Sequence, residues 1–148
     1  MRWLVIIGAA LVLAWPAAAR APNACALLTN AEVAKAFGSK IATRTRDGNR
    51  YGGSCTWEGV SLGSFTSFHA TLRIDIAPVT RSEWLKAARK AKNAVPVHGV
   101  GDLAYSEYMA GEFLVIWQDG FYVGVELSGV ASPVPTAKTL ARAALARL

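Results

Sequence analysis

Cysteine and histidine are scarce in this chain: two cysteines, Cys25 and Cys55, and two histidines, His69 and His98, in 148 residues. There is no C-x-x-C pair, and the two histidines stand far apart. The sequence therefore offers no metal constellation and no thioredoxin-like redox motif. Acidic residues are few, ten against sixteen Lys and Arg. Paired carboxylates and a recognisable nucleophile motif are also missing, so no catalytic residue or cofactor is assigned and the expectation is a non-enzymatic protein. No apolar run reaches the ~20 residues of a comfortable membrane span. Internal repeats and disordered linkers are absent as well.

What is present begins with MRWLVIIGAALVLAWPAAAR. Arg2 supplies a positive start, Trp3–Trp15 an apolar run and Ala17-Ala18-Ala19 a small-residue cleavage site, the three parts of a secretory signal peptide. Cleavage is expected after Ala19, since cutting after Ala21 would leave Pro22 first. An uncleaved anchor is one competing reading. A lipid-modified Cys25 is the other, but Pro22-Asn23-Ala24 differs from the Leu-Ala-Gly or Leu-Ser-Ala that precedes such cysteines. The expectation is a periplasmic or secreted protein without a membrane span, in which residues 20–148 form one domain. Removing 19 of 148 residues leaves 129 and lowers the formal charge from +6 to +5. Outside the cytoplasm nucleic acid is not the expected partner; the spread positive charge suits solubility or weak attraction to anionic envelope polymers. In an exported domain an even cysteine pair reads as one disulfide, with a catalytic thiol or a metal pair as alternatives.

Local signals give the order of elements. Thr29 with Glu32, and Thr80 with Glu83, are capping boxes that open helices over Thr29–Phe37 and Arg81–Asn93. Gly38 stands where the first helix needs a left-handed residue. Short strands are expected over Lys40–Thr45 and within Tyr51–Val60, separated by an exposed turn at Arg46–Arg50. A long alternating strand is expected over Phe65–Ile76, and another over Leu103–Tyr108. Gly99-Val100-Gly101-Asp102 formally resembles a dinucleotide fingerprint, but a strand follows it rather than a helix. It reads as a structural turn capped by Asp102. Asp119-Gly120 joins two apolar runs across Glu112–Leu127, the strongest short hairpin signal. A two-residue loop sets the pairs Gln118/Phe121, Trp117/Tyr122, Ile116/Val123, Val115/Gly124 and Leu114/Val125. After Ser132-Pro133-Val134-Pro135, read as a rigid connection, Thr136–Leu148 is an Ala-rich helix. The order α-β-β-β-α-β-β-β-α implies an α+β fold: an antiparallel sheet of about six strands with three helices packed over it.

One hairpin face, with Leu114, Ile116, Val123, Val125 and Leu127, is core. The other carries Phe113, Trp117 and Tyr122 and admits several readings: a shield over Gly124, a second core under a helix, or an open face. If open, Trp117, Tyr122 and Phe113 join His69 and Arg73 of the neighbouring strand in an aromatic and polar concavity. Such a concavity suits a small amphipathic ligand or an envelope protein. The second candidate surface is the basic helix 81–93. Arg81, Lys86, Arg89 and Lys90 are either its wet side or a contact for anionic lipid or polymer.

Three stretches together resemble a family of small exported proteins typified by the LpqN-type lipoproteins, which have a PsbP/Mog1-like fold. They are Cys25-Ala26-Leu27-Leu28-Thr29 with Glu32-Val33, Cys55-Thr56-Trp57, and Val97–Tyr105. The resemblance covers nearly all of residues 20–148, although the lipid-attachment cysteine is missing. It implies fold and compartment and brings no activity, cofactor or partner.

Overall fold

A computed structural model describes residues 20–49, 52–60, 69–108 and 112–148. The expected signal peptide and Phe65–Phe68, the start of the expected long strand, lie outside the described residues. A 3-10 turn at Ala24–Ala26 precedes α1 (Asn30–Phe37), β1 (Ile41–Asn49), β2 (Gly52–Gly59), β3 (Thr71–Pro78) and α2 (Arg81–Ala88). Then come β4 (Val95–Pro96), β5 (Leu103–Tyr108), β6 (Glu112–Gln118), β7 (Phe121–Ser128) and α3 (Pro133–Leu145). The fold is α+β, and among the described residues one antiparallel sheet of seven strands is ordered β1-β2-β3-β7-β6-β5-β4.

The β6–β7 hairpin has the register that Asp119-Gly120 dictates, from Gln118/Phe121 to Leu114/Val125. Both turn residues lie in the left-handed region, at φ 51° and 86°. Side chains alternate between faces along a strand, and that alternation builds the core. Trp57 of β2, Leu72, Ile74 and Ile76 of β3, Leu114 and Ile116 of β6, and Val123, Val125 and Leu127 of β7 are all buried on one face. Val33 of α1 and Ala137, Leu140, Ala141 and Ala144 of α3 close over them. Each fully buried Leu or Ile contributes ~1.5–3 kcal/mol, and the alanines of α3 let its backbone approach the sheet.

Both capping boxes form: Thr29 and Thr80 accept from the backbone of Glu32 and Glu83, whose carboxylates reach back. Gly38 caps α1 at φ 65°. Cys25 and Cys55 are joined in a disulfide, tying the 3-10 turn to β2 with Cα atoms 5.0 Å apart.

The sheet of about six strands is as expected, and what is added to it is the two-residue strand Val95–Pro96, which pairs with Ser106 and Tyr105. Several expectations are corrected. Residues 46–49 continue β1 instead of turning: Gly48 faces Gly53 and Asn49 faces Gly52. A Cβ on Gly48 would strike the Gly53 backbone, so the glycines serve close strand approach. The third strand starts at Thr71, after His69 and Ala70, and runs through Pro78. The second helix ends at Ala88 and not Asn93, because beyond Trp84 and Leu85 its stripe is alanine and buries too little to hold further turns. Asn93 is left-handed at φ 62°. The last helix begins at Pro133, whose missing N–H costs nothing at the first helical position. Asp102 accepts, at 3.5 Å, from the backbone of Asp119 in the hairpin turn rather than capping its own.

Candidate functional site

The second face of the sheet holds the candidate site. The strand registers arrange its side chains in rows. Thr56, Arg73, Glu126 and Phe113 form one row, Ser54, Asp75, Gly124 and Val115 the next, and Ala77, Tyr122 and Trp117 a third. Helix α2 covers part of this face. Trp84 is buried and its ring centroid stands 5.4 Å from that of Tyr105 on β5. Trp117 donates its indole N–H to the Val79 carbonyl in the β3–α2 link, at 3.1 Å. Val115 is buried here, outside the main core cluster.

The open half lies over β2, β3 and β7. Arg73 grips Asp75 through Nε, 3.0 and 3.1 Å from the two carboxylate oxygens, and through Nη2 at 3.0 Å. These bonds hold the guanidinium above its ordinary pKa. Tyr122 folds over Gly124: a Cβ there would collide with the phenol oxygen and lie 3.4 Å from the Phe113 ring. The aromatic pair therefore needs glycine at 124. Burial, followed by the Asp75 charge, pushes the Tyr122 phenol up to about 12, so it remains a neutral donor through the physiological range. Beside it Gly48, Gly53, Ser54, Asp75 and Ala77 line a shallow, solvent-open depression of about 420 Å³.

No family model, curated protein or solved structure matches the chain.

Of the residues singled out from sequence, the structure brings Tyr122, Phe113 and Arg73 together. Trp117 is half-buried beneath the link to α2 and spends its polar atom on the backbone. His69 lies apart, before β3 and beside Gly129 past the far end of β7. Arg81 and Lys86 are exposed on α2, while Arg89 and Lys90 are exposed beyond its last turn. Among the described residues no group of three or more His, Cys, Asp or Glu is placed to hold a metal ion. No described helix is long and apolar enough to cross a membrane.

Sequence reasoning missed Asp75 as the partner of Arg73, Ser54 and the glycine floor, and the Trp84–Tyr105 contact. The alternation of β3 placed Asp75 on the right face. Nothing local pairs Trp84 with a residue on β5. An aromatic wall, small residues below it and an already paired guanidinium and carboxylate make a surface for recognition by stacking and hydrogen bonding.

Proposed function

We propose that this chain is an exported, non-enzymatic binding or accessory domain whose ligand, a small amphipathic molecule, sits on the open half of the second sheet face. The observation that carries the reading is Tyr122. Its ring is held over Gly124 against Phe113, beside the Arg73–Asp75 pair and a depression of about 420 Å³. A rigid aromatic flanked by fixed polar groups is what such ligands need, an apolar surface with a few oriented hydrogen bonds. The disulfide supports export, because such bonds persist in oxidising compartments. The leader, with cleavage after Ala19, and the resemblance to LpqN-type proteins support the same compartment.

The test is a nitrogen-15 titration with small amphipathic compounds, each joining an aromatic or alkyl body to one polar head. Backbone signals of Arg73, Asp75 and Gly124 should move together. Tyr122→Ala should weaken that response by about tenfold, the loss of one stacked aromatic. Responses confined to other parts of the sheet would remove the reading, and a segment of an envelope protein binding there instead would redefine the ligand.

A further inference from the structure

Helix α2 and strands β4 and β5 enclose a second groove of about 330 Å³, lined chiefly by Trp84, Leu85, Ala88, Pro96, Leu103 and Tyr105. It shares no lining residue with the Tyr122 depression. The volume is within the ~300–1,000 Å³ of small-molecule sites, and the lining is apolar as such sites require.

One polar atom here is unaccounted for. Trp84 is only 6% exposed, yet among the described residues its indole N–H has no hydrogen-bond partner. The other two described indoles are satisfied. Trp57 donates to Asn30 Oδ1 at 3.1 Å, and Trp117 donates to the Val79 carbonyl at 3.1 Å. A buried donor left unpaired calls for a specific explanation. The groove also has a cation: Arg89 lines it, is exposed, and forms no ion pair among the described residues.

We propose that this groove binds an amphipathic monocarboxylate of the medium-chain acyl type. The chain lies along Leu85, Ala88, Pro96 and Leu103. One carboxylate oxygen accepts from Trp84 Nε1, and the guanidinium of Arg89 meets the other. The N–H is out of solvent's reach, so the oxygen meets it through a small outward shift of α2. Trp84 is the one buried residue of α2, so the shift moves a single buried side chain of that helix. An anion satisfies both orphaned features at once: the unpaired donor and the unpaired positive charge. An alcohol satisfies only the first, and an alkylammonium neither.

The experiment is a titration of decanoate, below its micellar concentration, into the nitrogen-15-labelled protein, read at the indole N–H signals. The Trp84 signal should move downfield and saturate, while those of Trp57 and Trp117 stay in place. Decylamine should leave the Trp84 signal where it is. Arg89→Gln, a surface change, should weaken decanoate binding by about tenfold, as expected for a lost charge-assisted bond. An unmoved Trp84 signal would assign its N–H to the neighbouring Tyr105 ring and overturn the proposal. Equal responses to decanoate and decylamine, or an Arg89→Gln variant that binds decanoate as tightly as the parent, would overturn it too.

Discussion

On the face of the sheet that α1 and α3 cover lie the main core and the disulfide. A continuous aliphatic core fills the space, a disulfide anchors the entry to α1, and the Trp57 indole is hydrogen-bonded to Asn30. On the face that α2 crosses, a single buried residue of the helix holds it down, its indole N–H has no partner among the described residues, and β2, β3 and β7 lie open. The same sheet thus carries one face built for packing and one that leaves interaction capacity unused. The difference indicates where binding can occur without endangering the fold: disturbing the second face sacrifices few buried contacts.

The comparison breaks first at the two tryptophans. Trp57→Ala should cost ~3–5 kcal/mol in urea unfolding, the range for emptying a fully buried aromatic site. Trp84→Phe keeps most of the ring and removes a donor that has no partner, so stability should change by no more than ~0.5 kcal/mol or rise slightly. Trp57→Phe, which removes the indole bond to Asn30 Oδ1, leaves that oxygen to Arg44 Nη1 at 3.3 Å and thins a fully buried site, should cost about 1–2 kcal/mol. Equal costs for the two Trp→Phe variants would mean that the faces are not built differently.

The disulfide gives the next effect. Cys25 and Cys55 are 30 residues apart in sequence, and releasing a loop of that size restores unfolded-state entropy worth about 3–4 kcal/mol. The double Cys→Ala variant should lose stability of that order, measured by denaturant midpoint at constant slope. A loss below ~1 kcal/mol would mean that the core holds the first helix without the bond.

What could be read in the sequence follows the same division. The hairpin was legible because Asp119-Gly120 allows one register, and both capping boxes because they are encoded within four residues. The buried face followed from alternation in β3 and β7. Features that depend on distant partners were not legible. Val95–Pro96 is a strand only because β5 lies beside it. Arg46-Asp47-Gly48 reads as a turn until Gly52 and Gly53 supply the close-fitting opposite strand. The aromatic residues of the second face were visible, but not which of them meet. Gly124 selects Tyr122 and Phe113, α2 withdraws Trp117, and Trp84 finds Tyr105 across 21 positions of chain.

The smallest expected effect compares the two capping boxes, which are alike in sequence but lie on opposite faces. Glu32 has, besides Thr29, the Arg147 guanidinium 2.7 Å from its carboxylate, and Arg147 also donates to the Leu27 carbonyl at 2.9 Å. The Arg147 bond first, then those from Thr29, lower the Glu32 carboxyl from 4.5 to about 2. Glu83 is lowered by Thr80 alone and forms no ion pair among the described residues. A carboxyl whose folded pKa is depressed stabilises the fold above its unfolded pKa and loses that contribution as the pH falls toward the folded value. For Glu32 the window therefore runs from 4.5 down to about 2. Glu32→Gln should flatten the acid loss of stability there, by about 1 kcal/mol or less because water and salt screen a partly exposed pair. Glu83→Gln should flatten it less. Thermal midpoints at pH 6 and pH 2.5, read as variant minus parent, decide between them. Equal changes would show that Arg147 adds nothing to the cap, whereas a larger change at Glu32 marks the α1–α3 clamp as one more device of the packed face.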